Sequence, residues 1–377
     1  MIYAAADTHL ADRIWRRRRD LDGDSYAAFN RLADSIVEDV LARREAARQS
    51  GSIEKRASTD ILILAGDTFD TRKVNGACLQ AFKNLVDKLD AVGVHVVCIQ
   101  GNHDMGAVPI PEVHGAQSLT AHAVTFDGRR IIGLDWLPRE ELKVAIKEIE
   151  ASKDEIDILV LHCAFQHLLG FAGSFDLTME DIPSNVKHVV VGDVHVKSAE
   201  GLPNSDGYCV SPGALHPCNL AQGGEHGYYK IPMGSEEWEF VAIPTRQIIR
   251  VGLKEESDIA DWSQLLAKYA GIEEDLKPLM EIKFETKYRE LIDKFIESHK
   301  DQAIFFDNGY VASKMRTAGA IERAKEHMTA LTLRTALNSV VPEDSEEYAF
   351  IDTLLAAPNA AEIIDKEVEA ILETCKA

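Results

Sequence analysis

Residues 94–104 read VHVVCIQGNHD: a short apolar run, broken only by His95, that stops at Gly101 and at once presents Asn102, His103 and Asp104. Apolar runs of this length bounded by turn residues are the mark of strands covered on both faces, as in α/β sheets. Four other stretches end the same way. MIYAAAD (1–7) delivers Asp7 and, two residues on, His9; DILILAGDTFD (60–70) delivers Asp67 and Asp70. IDILVLH (156–162) delivers His162, and VKHVVVGDVH (186–195) delivers Asp193 and His195. Ligands of such sheets collect at the carboxyl ends of the strands. Carboxylate, amide oxygen and imidazole are the ligands of hard and borderline cations. Five strands bringing them to one edge therefore predict a two-metal hydrolase site.

Each of these residues has an ordinary structural use as well. Asp7 or Asp67 alone would serve as a turn or cap residue, Asn102 as a turn former and His162 as a core histidine. The joint pattern carries the argument, because strand after strand ends in a ligand. G-D-x-x-D, G-N-H-D and G-D-x-H also each set a glycine where a sharp turn off a strand needs relaxed φ/ψ.

The motifs D-T-H (7–9), G-D-T-F-D (66–70), G-N-H-D (101–104), His162 and G-D-V-H (192–195) together resemble the calcineurin-like metallophosphoesterase signature. More narrowly, they resemble that of the SbcD-type DNA-repair nucleases. S-P-G-A-L-H-P (211–217), G-E-H-G-Y-Y-K-I (224–231) and I-P-T-R (243–246) are similar to the segments that close the nuclease domain there. The resemblance covers the first two thirds of the chain and rests on architecture alone beyond Arg246.

It implies an α/β fold: a β-sandwich flanked by helices over residues 1–245, a small α/β capping domain over 246–314, and C-terminal partner-binding helices over 315–377. It implies two divalent metal ions, Mn²⁺ foremost with Mg²⁺ as the alternative, bridged by Asp67. Asp7, His9 and His195 would complete the first ion's shell, and Asn102, His162 and Asp193 the second's. His103 would contact the phosphate or protonate the leaving oxygen, with Asp104 orienting it. The implied activity is exonuclease and endonuclease cleavage of DNA in repair, recombination and replication. The implied partners are DNA, an SbcC-type coiled-coil ATPase and a second copy of the nuclease.

One residue departs from the pattern. The family has G-H-x-H where this chain has G-D-V-H, so a neutral nitrogen ligand becomes a charged oxygen at Asp193. Either Asp193 ligates, hardening the site toward Mn²⁺ or Mg²⁺, or it is too short to reach and the second ion is held weakly. Ligation is the favoured reading. Asp70 has two places open to it, behind a ligand or beside the substrate.

The chain has 377 residues, 46% of them hydrophobic and 27% charged, enough for two or three soluble domains. Its net charge of −21 argues against a general nucleic-acid coat protein, whose affinity comes from Lys and Arg on phosphates. A nuclease remains compatible, since bound cations reverse the local field. Six scattered cysteines without C-x-x-C suit a reducing cytoplasm. Neither an export leader nor a membrane span is expected, and a compact phage or bacterial protein suits the short C-terminal region.

Along the chain, Arg16 to Arg19 read as a solvated loop, with contact to DNA phosphates as the alternative. Phe29, Leu32, Ile36, Val40 and Leu41 predict an amphipathic helix, and 42–59 a polar connection. A second helix is expected around 77–89 and a third to about Ala151. The glycine-interrupted loop 167–183 would shape access to the site. His114 and His122 read as surface residues, and His216 and His226 lie outside the ligand motifs. Met280, Ile282 and Phe284 alternate with Glu281, Lys283 and Glu285, as in a half-exposed sheet. Ile321, Ala324, Met328 and Leu331 form one late helical stripe; Ile364, Val368, Ile371 and Leu372 form another. The competing functions are a small-molecule phosphodiesterase or phosphomonoesterase with the same metal centre, and a non-catalytic scaffold.

Overall fold

The computed structural model describes residues 1–310 except 16–17, 51–59, 107–109, 121–122, 127, 170–174 and 233–234. The late helical stripes, Arg16, Arg17 and His122 lie outside the described residues. The chain begins β1 (Ile2–Ala5), α1 (Asp24–Gln49), β2 (Asp60–Ala65), α2 (Gly76–Asp90), β3 (Val94–Ile99), α3 (Ile110–Val113) and β4 (Gln117–Ser118). It continues β5 (Val124–Phe126), β6 (Arg129–Gly133), α4 (Arg139–Ser152), β7 (Ile156–His162), β8 (Val186–Gly192), β9 (Ser198–Gly201) and β10 (Tyr208–Ser211). A hairpin follows, β11 (His226–Ile231) and β12 (Glu239–Ile243). Then come β13 (Ile248–Gly252), α5 (Asp258–Ala267), β14 (Leu279–Glu285), α6 (Arg289–His299) and β15 (Ile304–Tyr310).

Two six-stranded sheets, ordered β12-β11-β1-β2-β3-β4 and β5-β6-β7-β8-β10-β9, pack face to face. Alternation along each strand sends one set of side chains into this sandwich and the other toward helices. On β2, Ile61 and Ile63 meet Ile158, Val160 and Val190 of the opposite sheet, while Leu62 and Leu64 face Phe29, Leu32 and Ile36 of α1 and Phe82 and Leu85 of α2. On the far side, Leu159, Leu161, Val189 and Val191 lie under Leu142 and Ile146 of α4. Strands covered on both faces must be apolar throughout, which is why these runs read as continuous in the sequence. The architecture is the helix-flanked calcineurin-like sandwich that was expected.

Two sequence expectations change here. Leu41 is 52% exposed, leaving Ala28, Phe29, Leu32, Ala33, Ile36 and Val40 as the buried stripe of α1. The polar stretch after it also continues the helix, to Gln49. Ala, Arg, Glu and Gln are strong helix formers without any apolar period, and Arg43 pairs with Asp39 one turn back at 2.9 Å.

Residues 246–310 form an all-parallel sheet, β13-β14-β15, with α5 and α6. Met280, Ile282 and Phe284 point together into its core with Trp262 and Phe295, as their alternation predicted. This unit is compact with the sandwich, Met1–Tyr310 forming one body. Arg246, only 5% exposed, joins them: its guanidinium donates to the Asp24 carboxylate of α1 at 2.6 and 2.9 Å and to the carbonyls of Glu274 and Lys277 at 2.8 and 2.9 Å. Arg18 of the arginine run is not merely solvated. It donates to the Phe305 carbonyl at 2.7 Å and stacks 4.3 Å over the Phe306 ring.

Candidate metal centre

The carboxyl ends of β1, β2 and β3 from one sheet, and of β7 and β8 from the other, converge at one end of the sandwich. Pairing of the first two strands runs on beyond them, with Asp7 N donating to Gly66 O at 3.2 Å and His9 N to Asp67 O at 3.0 Å. The turns that aim the side chains are strained. Asp7, His9, Asp67, Asp193 and His195 have φ of 48°, 40°, 47°, 102° and 61°; among described non-glycine residues only Lys153 shares a positive value. Such conformations cost about 1–3 kcal/mol each and persist where surroundings enforce them.

The glycines serve a purpose that differs in part from the one expected. Gly66 has φ +84°, but Gly101 and Gly192 have ordinary φ. They are needed for room. A Cβ on Gly101 would strike Asp67 Oδ1, one on Gly66 would strike His162 Nδ1, and one on Gly192 would strike the Ala65 carbonyl.

Two groups of candidate ligands stand close together. In the first, His9 Nε2 is 2.9 Å from His195 Nε2, and Asp7 Oδ1 is 3.9 Å from the latter. In the second, His162 Nε2 is 3.2 Å from Asn102 Oδ1 and 3.8 Å from Asp193 Oδ1. Asp67 Oδ2 lies between them, 3.8 Å from His9 Nε2 and 3.4 Å from His162 Nε2. Atoms bound to one cation at about 2.0–2.2 Å stand roughly 3–4 Å apart, so the spacing suits two ions sharing Asp67. Asp7, His9 and Asp67 are buried, as is His162, while Asn102, Asp193 and His195 are half-buried.

The electrostatics fit a cationic occupant. Burial pushes the Asp7 carboxyl up to about 6 and also raises Asp193. Burial alone would depress His162, but Asp67 beside it and the charges of Asp7 and Asp67 outweigh burial and raise it to about 10. Asp67 is raised by burial, yet His162 and His9 prevail and hold it below the usual range. An imidazolium thus stands where buried carboxylates call for a positive charge, and a metal ion meets the same field. His162 Nδ1 donates to the Ala65 carbonyl at 2.9 Å, which leaves Nε2 as its inward nitrogen.

The expected orientation of His103 by Asp104 is corrected. Asp104 is buried and accepts from the backbone amides of Thr68 at 2.6 Å, Gly101 at 2.6 Å and Phe69 at 3.3 Å, tying the β2 and β3 turns together. Asp70 does the orienting instead. Its carbonyl accepts from Nδ1 of the exposed His103 at 2.9 Å. Its carboxylate stands 3.3 Å from His9 Nδ1, off the line of a good hydrogen bond. The second carboxylate of G-D-x-x-D was the available sequence signal. His216, which the sequence left outside the ligand motifs, is packed behind the first turn, with Nε2 3.1 Å from the Thr8 carbonyl.

Comparison with known proteins gives similarity to DNA double-strand break repair protein Mre11 from three archaea. That of Methanosarcina acetivorans is 19% identical over 389 residues, covering 98% of this chain and 59% of that protein. That of Thermoplasma acidophilum is 24% identical over 208 residues, half of each chain. That of Methanopyrus kandleri is 26% identical over 172 residues, 39% of this chain and 38% of that protein. The chain thus spans 38–59% of the length of these relatives. Residues 1–197, which contain all the converging ligands, match the family described as Calcineurin-like phosphoesterase, and on that match over more than half its length the chain belongs to this family of phosphate-ester hydrolases.

Proposed function

We propose that the chain is a two-metal DNA nuclease, cutting phosphodiester bonds as exonuclease and endonuclease during end processing, recombination and repair. The observation that carries this reading is the single oxygen Asp67 Oδ2 between His9 and His162, and the similarity to Mre11 proteins supports DNA as substrate. Asp7, His9 and His195 hold one cation, and Asn102, His162 and Asp193 the other; Mn²⁺ is the expected ion. Two such cations would neutralise the phosphate oxygens and make an attacking water acidic enough to react near neutral pH.

The chain's own residues supply the rest. With Nδ1 engaged by the Asp70 carbonyl, His103 turns Nε2 outward to hand a proton to the departing oxygen. Asp104 fixes the spacing of the turns that carry Asp67 and His103. In this reading residues 1–245 are the nuclease domain, 246–314 the cap and 315–377 the region that grips an SbcC-type ATPase, with a second nuclease copy completing the assembly. No helix among the described residues is long and apolar enough to cross a membrane.

The deciding experiment compares linear duplex DNA, supercoiled plasmid and a p-nitrophenyl phosphodiester as substrates with Mn²⁺, for the native chain and Asp67→Ala. DNA cleavage that Asp67→Ala abolishes is expected. Turnover of the small ester without any action on DNA would move the assignment to a small-molecule phosphodiesterase.

A further inference from the structure

Beside the metal centre lies a cavity of about 230 Å³ that has His195 in its wall. The rest of its lining comes from the turn after β8, from Pro212 to Ala214 after β10, and from the loop 221–226 that leads into β11. The last two segments fall in S-P-G-A-L-H-P and G-E-H-G-Y-Y-K-I, motifs that supply neither ion with a ligand. Gly213 lets two of the walls meet. Its φ is +72°, and a Cβ there would stand 2.9 Å from Lys197 N and 3.0 Å from the His195 carbonyl oxygen.

The polar side chains around the cavity are taken up with one another. Lys197 Nζ donates to the Glu225 carboxylate at 2.7 Å. Gln222 Oε1 accepts from Cys218 N–H at 2.7 Å, and its amide nitrogen lies 2.6 Å from His195 Nδ1. The ring nitrogens of buried His226 meet the Ala214 and Gln222 carbonyls at 2.8 and 3.3 Å. Val196, by contrast, is 48% exposed, one of four large apolar side chains so exposed among the described residues. A cavity with its charges paired and an open apolar side chain suits an uncharged part of the substrate better than a further phosphate.

Its place relative to His103 decides which part. His9 stands between the two: Asp70, whose carbonyl holds His103 Nδ1 at 2.9 Å, lies 3.3 Å from His9 Nδ1, whereas His195 lies 2.9 Å from His9 Nε2. Hydrolysis breaks the bond from phosphorus to the oxygen beside His103, and the phosphorus keeps its other ester group. We propose that this cavity receives the nucleoside that stays on the phosphorus after the cut, with Val196 as its apolar contact. The inference rests on the nuclease reading and assigns one side of its substrate to a place.

Esters that share p-nitrophenolate, a leaving group that needs no proton from His103, isolate the retained side. With Mn²⁺, the native chain should turn over the better of the thymidine 3′- and 5′-p-nitrophenyl phosphates with kcat/KM about 10- to 100-fold above methyl p-nitrophenyl phosphate, the scale of a few buried apolar groups. Val196→Asp should bring that ratio close to one, and Val196→Ile should keep it. On the native chain alone, the matching thymidine monophosphate should inhibit hydrolysis of the methyl ester about tenfold more tightly than methyl phosphate does, which decides the matter if the aspartate variant does not fold. Equal turnover of the thymidine and methyl esters by the native chain would overturn the proposal and leave the metal centre standing. A folded Val196→Asp that kept the native ratio would do the same. No turnover of any ester or of DNA would instead sink the nuclease reading, and this inference with it.

Discussion

His162, at the end of a strand in one sheet, donates from Nδ1 to the carbonyl of Ala65 at the end of a strand in the other, over 2.9 Å. This bond aims the ring and, with those from Asp193 N–H to the Asp7 carboxylate, ties the two sheets together at that end. The glycines around it leave no slack, and Asp67 is held as closely. Gly101→Ala would drive a methyl into Asp67 Oδ1. The methyl also meets the Asp67 backbone nitrogen, so the variant should lose stability as well as on the order of 10²-fold in rate, the usual cost of about 1 Å of misplacement, with weakened uptake of both ions. Native rate and metal content in this variant would show that Asp67 does not bridge.

His103→Ala should keep both ions and lose about 10²- to 10⁴-fold in hydrolysis, the range for general acid catalysis. Metal analysis beside steady-state rates separates the roles. Loss of an ion would place His103 among the ligands.

Asp193 lies 3.8 Å from His162 Nε2 through its carboxylate. Asp193→Ala should lower the occupancy of one site, whereas Asp193→His should retain activity. An alanine variant with unchanged metal and rate would make Asp193 a bystander.

Ion binding should release protons. Without metal His162 stays protonated to about pH 10, so below that pH an arriving ion displaces its proton, and Mn²⁺ affinity rises with pH, by up to about tenfold per unit for one displaced proton. Calorimetric titrations in buffers of different ionisation enthalpy read the number released; a value of zero at pH 7 would contradict the placement of His162.

Ending the chain after Tyr310 retains the whole compact body Met1–Tyr310. That fragment should still cleave small phosphodiesters with Mn²⁺ but no longer co-purify with the ATPase. Undiminished ATPase binding would remove the partner role proposed for residues 315–377.

Strand identity and the candidate ligands were legible in the sequence because both leave local traces. A strand buried on both faces is apolar at nearly every position, and a candidate ligand follows at its end as a polar residue, after a glycine at Asp67, Asn102 and Asp193. The alternation of Met280, Ile282 and Phe284 is local in the same way. The extension of α1 to Gln49 was missed because its last turns bury little, and helix formation there rests on propensity and charge pairs without an apolar stripe.

Only the tertiary structure decided which polar group serves which. Asp104 and Asp70 both lie within a few residues of a site histidine or a ligand, yet one is spent on three backbone amides and the other faces two imidazoles. Apart from the Gly101 amide, the partners come from turns at least 33 residues away in the chain, so spacing carries no record of the choice. Gln222 shows the same limit from farther away: it reaches His195 because the loop after β10 comes back to the turn after β8, and its side-chain oxygen is held by Cys218 N–H, a backbone group that any residue but proline would supply.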